Sequence, residues 1–201
     1  MSDAHLYLAS TSPRRQELLR QIQVRFEVLP VHVNETPLSD ESPEAMVARL
    51  ALAKACAGLQ QPARTLPLPV LAADTAVVVD GVILGKPADD ADARHMLAML
   101  SGRCHQVYSG IALVSDAWQK VRGCRSEVCF REMSAAEIRC YSRTGECRDK
   151  AGAYGIQGLA AVFIERLQGS YSSVMGLPLH ETASLLEEAG LDFWLTEQGV
   201  R

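Results

Sequence analysis

The stretch VLAADTAVVVDG, Val70 to Gly81, decides the fold. Eight of its first ten residues are apolar. A run of this length and apolarity reads as a central strand buried on both faces, the kind that α/β sheets carry. It is far too short to span a bilayer, and Asp74 interrupts it. Asp80-Gly81 is a two-residue hairpin signal, so the strand should turn back into Val82 to Leu84. Helical patterns flank this pair on both sides.

Upstream, His5 to Ala9 reads as a short strand. Ser12 offers an N-cap hydroxyl and Pro13 suits a first helical position, which predicts a helix to about Gln21. Arg25 to Pro30 is a second strand, and Val31 to Glu41 a polar loop. Ser42-Pro43 repeats the cap signal and opens a helix to about Leu59, followed by a Pro-rich connector. Downstream, Asp90 to Leu100 reads as a helix, and Val107 to Val114 with Val121 to Phe130 as a second hairpin. Ser134 caps another helix, and Pro178 begins the last. Strands alternating with helices predict an α/β fold. The 201 residues make one ordinary domain or two small lobes sharing a cleft.

Charge narrows the function. A net charge of -4 argues against a basic nucleic-acid binder, so an anion site has to be a local patch of Lys and Arg. The segment Met1 to Leu8 lacks the basic and apolar regions of a secretory signal, which predicts a cytoplasmic protein. Its six cysteines form no C-x-x-C pair, so they are expected to be reduced thiols rather than zinc ligands. Neither a P-loop nor a nucleophile elbow is present.

The informative residues are charges at positions the pattern wants apolar. Val47, Leu50 and Ala51 define one face of the helix opened by Ser42, and Lys54 falls near the centre of that stripe. A buried ammonium needs an anion or a cleft, whereas a lysine at the stripe's edge only has to snorkel. Asp74, inside the buried strand, has to be paired, bind a metal, open into a pocket or take backbone amides. Extending the hairpin register from Val79 opposite Val82 brings Thr75 opposite Lys86, next to Asp74 along the chain. Gly85 and Pro87 disturb pairing there, so side-chain direction stays open. The turn ASTSPRR places Arg14 and Arg15 in a first helical turn, where cations are unfavourable unless an anion is bound. Ser10 and Ser12 add hydroxyls; together they make a candidate di- or triphosphate site. In DKAGAYGIQG, Asp149 to Gly158, three glycines within seven residues allow close approach of a ligand or simply build a surface loop. Tyr154 and Gln157 are its candidates to stack on and hydrogen-bond a base.

These segments resemble those of the Maf family of nucleotide pyrophosphatases. The similarity is carried by ASTSPRRQELL, the acidic loop at Glu35, ARLALAKA, AADTAVVVDG, LGKP, HQVYSG, DKAGAYGIQG and GSYSSVMGLPLHET, from Leu6 to about Leu191. The resemblance implies one domain over 1–201, with a mixed twisted sheet flanked by helices and two lobes around a cleft, like inosine triphosphate pyrophosphatases. It implies hydrolysis of nucleoside triphosphates to monophosphate and pyrophosphate, a homodimer as in many members, and no stable nucleic-acid or membrane partner. YGIQG is similar to the branch acting on dTTP and UTP. Residue by residue, Ser10, Arg14 and Arg15 match the phosphate-binding block. Glu35 and Asp74 match the acids that hold a divalent metal, Mg²⁺ or alternatively Mn²⁺, with Asp74 also the base. Lys54 and Lys86 match the catalytic lysines, and Gln157 the base-recognition position. The family's acidic loop usually carries two adjacent acids; here Asn34 precedes Glu35. The rival class is a non-catalytic nucleotide- or nucleic-acid-binding regulator of cell division, which needs the cations but neither Glu35 nor Asp74.

Overall fold

The computed structural model of the chain describes residues 4–193. Among them, β1 (Leu6–Leu8), β2 (Phe26–Val28), β3 (Val70–Val79), β4 (Val82–Leu84), β5 (Cys104–Val114), β6 (Gln119–Phe130) and β7 (Ile164–Gln168) form one seven-stranded sheet. Its order is β2-β1-β3-β5-β6-β7, with β4 paired to β3. β1 runs parallel to β2 and β3, while β4 is antiparallel to β3 and β7 to β6, so the sheet is mixed. The helices are α1 (Pro13–Gln21), α2 (Pro43–Leu59), α3 (Asp90–Leu100), α4 (Ala135–Arg143), α5 (Tyr171–Met175) and α6 (Leu179–Glu188). This is the expected mixed α/β sheet with helices. No helix among the described residues is long and apolar enough to cross a membrane.

The chain divides into two compact units. The first takes in 4–74, 109–124 and 176–193 of the described residues; the second takes in 75–108 and 125–175. Each has its own core. In the first, Tyr7, Ala9, Ala55, Val70, Ala72 and Ala112 pack together. Gly110 makes that packing close: a Cβ there would sit 2.5 Å from the Val47 carbonyl oxygen, so α2 lies directly on β5. In the second, Val77, Leu97, Val107, Phe130, Ile138, Tyr154 and Phe163 form the core.

Local chemistry explains the helix starts. The Ser42 hydroxyl accepts from the Ala45 amide. Ser134 and Glu137 form a reciprocal capping box. The Asp89 carboxylate accepts from Ala91 and Asp92 at 2.8 Å, a cap the sequence reading did not single out. Ser12 is a correction: it occupies the N-cap position of α1, but its hydroxyl makes no capping bond. The Ser12 amide instead donates to the Ser10 hydroxyl at 3.2 Å.

The turn at Asp80-Gly81 has both residues at positive φ, 48° and 79°, as a two-residue hairpin demands. Val79 faces Val82 as expected, but the ladder ends at Val77 opposite Leu84. Beyond it the Gly85 carbonyl accepts from the Gly152 amide instead, so the expected Thr75–Lys86 pairing does not form. The expectation of six reduced cysteines is also corrected: Cys104 and Cys129 are joined by a disulfide, while Cys56, Cys140 and Cys147 are free.

Candidate active site

Five of the sequence-predicted site residues gather in the first unit. β3 carries Asp74 out of a buried run; the residue is only 8% exposed. α2 brings Lys54 to it, because Val47, Leu50 and Ala51 are buried on the same helical face and leave Lys54 pointing the same way. The Lys54 ammonium lies 2.6 Å from Asp74 Oδ1 and 2.6 Å from Glu35 Oε1. Lys54 therefore does not snorkel: one cation joins two carboxylates, one buried and one half exposed. A buried pair of this kind holds only while both partners are present.

Arg15 completes the cluster. Its Nε donates to the Gly176 carbonyl at 2.9 Å, and its Nη1 to the Ser10 hydroxyl at 3.4 Å. Burial lowers the Arg15 pKa, the attraction of Asp74 opposes that shift, neighbouring Arg14 adds to it and Glu35 opposes it. Arg14 is half-buried in the same helical turn. The first unit thus assembles Ser10, Arg15, Glu35, Lys54 and Asp74, with Arg14 beside them.

The loop that carries Glu35 is held by side chains the sequence reading passed over. Arg49 of α2 grips both carboxylate oxygens of Glu41 at 2.6 Å, and this bond holds Glu41 below the usual carboxylate range. Arg49 also donates to the Thr36 carbonyl at 3.4 Å. Asn34 folds its side chain into the loop: its Oδ1 accepts from the Thr36 amide at 3.0 Å and hydroxyl at 2.6 Å. Position 34 is thereby used to shape the turn next to Glu35.

Lys86 and Gln157 belong to the second unit, and both are exposed. Gln157 sits on a turn closed by a bond from the Gly158 amide to the Gly155 carbonyl at 3.0 Å. The loop's glycines serve the protein's own packing. A Cβ on Gly152 would lie 2.9 Å from Val77 Cγ1, and one on Gly158 would lie 2.3 Å from Glu146 Oε2. Tyr154 does not offer a stacking face to a base. It is 5% exposed, shares a 2.8 Å hydrogen bond with His105 Nε2, and packs edge-on against His105 and Phe130.

A family model described as Maf-like protein matches residues 5–189. The dTTP/UTP pyrophosphatase of Alcanivorax borkumensis is 52% identical over 190 residues, covering 94% of this chain and 97% of the relative. The dTTP/UTP pyrophosphatase of Nitrosomonas europaea is 50% identical over 196 residues, covering 92% and 95%. Among solved structures, the Staphylococcus aureus Ham1 protein shares the fold, with a TM-score of 0.53 at 15% identity over 92% of this chain and 98% of that one. With a family match over nearly its whole length and half-identical relatives of the same extent, this chain belongs to the Maf family.

Proposed function

We propose that this chain is a nucleoside triphosphate pyrophosphatase that hydrolyses dTTP and UTP to the monophosphate and pyrophosphate. The observation that carries the reading is the convergence of Asp74 and Glu35 on the Lys54 ammonium, each at 2.6 Å, inside a family whose half-identical members are named for this reaction. A protein that only bound nucleotide would gain nothing from two carboxylates that repel phosphate.

Two carboxylates meeting at one cation supply hard oxygen donors, the set Mg²⁺ takes together with phosphate oxygens and water. Mn²⁺ suits the same donors. Glu35 and Asp74 would hold the ion, and once bound it would ease deprotonation of a water and neutralise phosphate charge. The remaining work falls to the chain. Asp74 orients a water toward the α-phosphorus and takes its proton at a carboxylate oxygen. Lys54 exchanges its carboxylate partners for phosphate oxygens. Arg14, Arg15 and the Ser10 hydroxyl hold the pyrophosphate leaving group as its charge grows. Lys86 is assigned a phosphate contact and Gln157 the O4/N3–H edge of the pyrimidine, both from motif position; an amide that donates and accepts leaves C5 unread and so admits thymine and uracil alike. A homodimer is part of the same reading, from the family resemblance, and a cytoplasmic location is expected with it.

Pyrophosphate release from dTTP, UTP, CTP, ATP and GTP, with and without Mg²⁺, tests it. The expected result is Mg²⁺-dependent release from dTTP and UTP, with ATP and GTP slower by about tenfold or more, because a purine leaves the polar groups that read the pyrimidine edge unpaired. Release of orthophosphate, or equal rates for all five nucleotides, would overturn it.

A further inference from the structure

The disulfide of the second unit involves none of the residues assigned to the phosphate chemistry. Cys104 opens β5, and Cys129 lies near the end of the neighbouring strand β6. Cys104 is exposed to solvent, whereas Cys129 is 7% exposed. On β7, Arg166 stands directly opposite Cys129 in the ladder. Its Nη2 lies 3.2 Å from Cys129 Sγ, 3.7 Å from Cys104 Sγ and 2.8 Å from Glu127 Oε1. A guanidinium against sulfur favours the thiolate, the form that reacts. The exposure of Cys104 and the burial of Cys129 give the chemistry an order: an outside reagent meets Cys104 first, and Cys129 is reached through Cys104.

We propose that Cys104 and Cys129 form a thiol–disulfide exchange site, oxidised by low-molecular-weight disulfides through Cys104 and closed by Cys129. In the first step the Cys104 thiolate attacks one sulfur of the small disulfide; a mixed disulfide forms on Cys104 and one small thiolate leaves. In the second, the Cys129 thiolate attacks Cys104 Sγ; the Cys104–Cys129 bond forms and the second small thiolate leaves. The protein dithiol gives up two electrons to the small disulfide, and the protons released by the two cysteines go to the departing thiolates. Excess small thiol runs the sequence backwards. Cys104, Glu127 and Cys129 are also near enough to one another to ligate a metal. Arg166 weighs against that use, because its charge sits against both sulfurs and already holds Glu127.

The test uses the full chain, reduced, freed of thiol, exposed to oxidised glutathione, then alkylated and mapped by peptide mass. The wild type should yield the Cys104–Cys129 bond. Cys129→Ser should trap glutathione on Cys104, since nothing resolves the mixed disulfide, and Cys104→Ser should leave Cys129 unmodified over the same time. Arg166→Gln should slow bond formation about threefold, because a smaller thiolate fraction is partly offset by higher intrinsic nucleophilicity. Alkylation of both cysteines in treated wild type would overturn the proposal. Glutathione on Cys129 at the rate seen for Cys104 would also overturn it, as would Zn²⁺, added alone to the reduced chain, binding at both sulfurs and blocking oxidation. An unchanged rate in Arg166→Gln would remove the guanidinium from the mechanism.

Discussion

Lys54 shows what a single misplaced charge tells. It occupies the apolar stripe of α2, and it is there because Asp74, equally out of place in β3, and Glu35 receive it at 2.6 Å. Asp74→Asn keeps an oxygen for the Lys54 bond but removes the proposed base, so the variant should fold normally and lose about 100-fold or more in turnover. Near-normal turnover in a folded Asp74→Asn would take Asp74 out of the chemistry. Glu35→Gln should move the Mg²⁺ requirement of dTTP hydrolysis to higher concentration while leaving the maximal rate less affected, since Gln remains a weak oxygen donor. A Mg²⁺ titration that superimposes on wild type would reduce Glu35 to a loop residue. Asp74 and Lys54 could be picked out from the sequence because most of the residues around them are apolar. The Arg15–Gly176 bond could not, because its partners lie 161 residues apart and a carbonyl leaves no trace in residue type. Tyr154 was misread for a related reason: a Gly-rich loop announces close approach, but its composition does not say whether ligand or core is what approaches.

At the scale of elements, the strand pair at Val70 to Leu84 and the capped helices were legible, since alternation, hairpin residues and Ser-Pro starts are local signals. What ends or redirects an element was less so. The β3–β4 ladder stops because Gly85 bonds to Gly152, a residue far along the chain. α2 rests on β5 only because position 110 has no side chain. Gly110→Ala would drive a methyl to 2.5 Å from the Val47 carbonyl and push α2, with Lys54 on it, away from β5. Overpacking of this kind costs about 1–3 kcal/mol, and here it should also lower dTTP turnover, because Lys54 moves relative to Asp74. Urea denaturation together with a turnover assay would check both effects. A fully stable variant would show that the helix tolerates the methyl, and a destabilised variant with intact turnover would show that the lysine does not depend on this contact.

For the molecule as a whole, the sequence implied an α/β sheet but not the order β2-β1-β3-β5-β6-β7, which long-range pairing sets. Nor did it show that β3, β5 and β6 each lend residues to both compact units. Stability against acid is a property at this scale. Burial lowers the His105 pKa from 6.5 to about 4, so the folded chain resists a proton that the unfolded chain accepts. The resulting stabilisation is complete above pH 6.5 and is lost progressively as the pH falls toward 4. Its slope is at most about 1.4 kcal/mol per pH unit for one proton. Urea midpoints at pH 7 and pH 5 should therefore differ by less in His105→Gln than in wild type; an equal difference would assign the acid sensitivity to other groups. In the proposed reaction water attacks the α-phosphorus of a pyrimidine nucleoside triphosphate. The most direct test of this attack is hydrolysis of dTTP by the wild-type chain with Mg²⁺ in water enriched in heavy oxygen, with both products analysed by mass. One labelled oxygen is expected in dTMP and none in pyrophosphate. Label in pyrophosphate, or dTDP and orthophosphate as products, would contradict it.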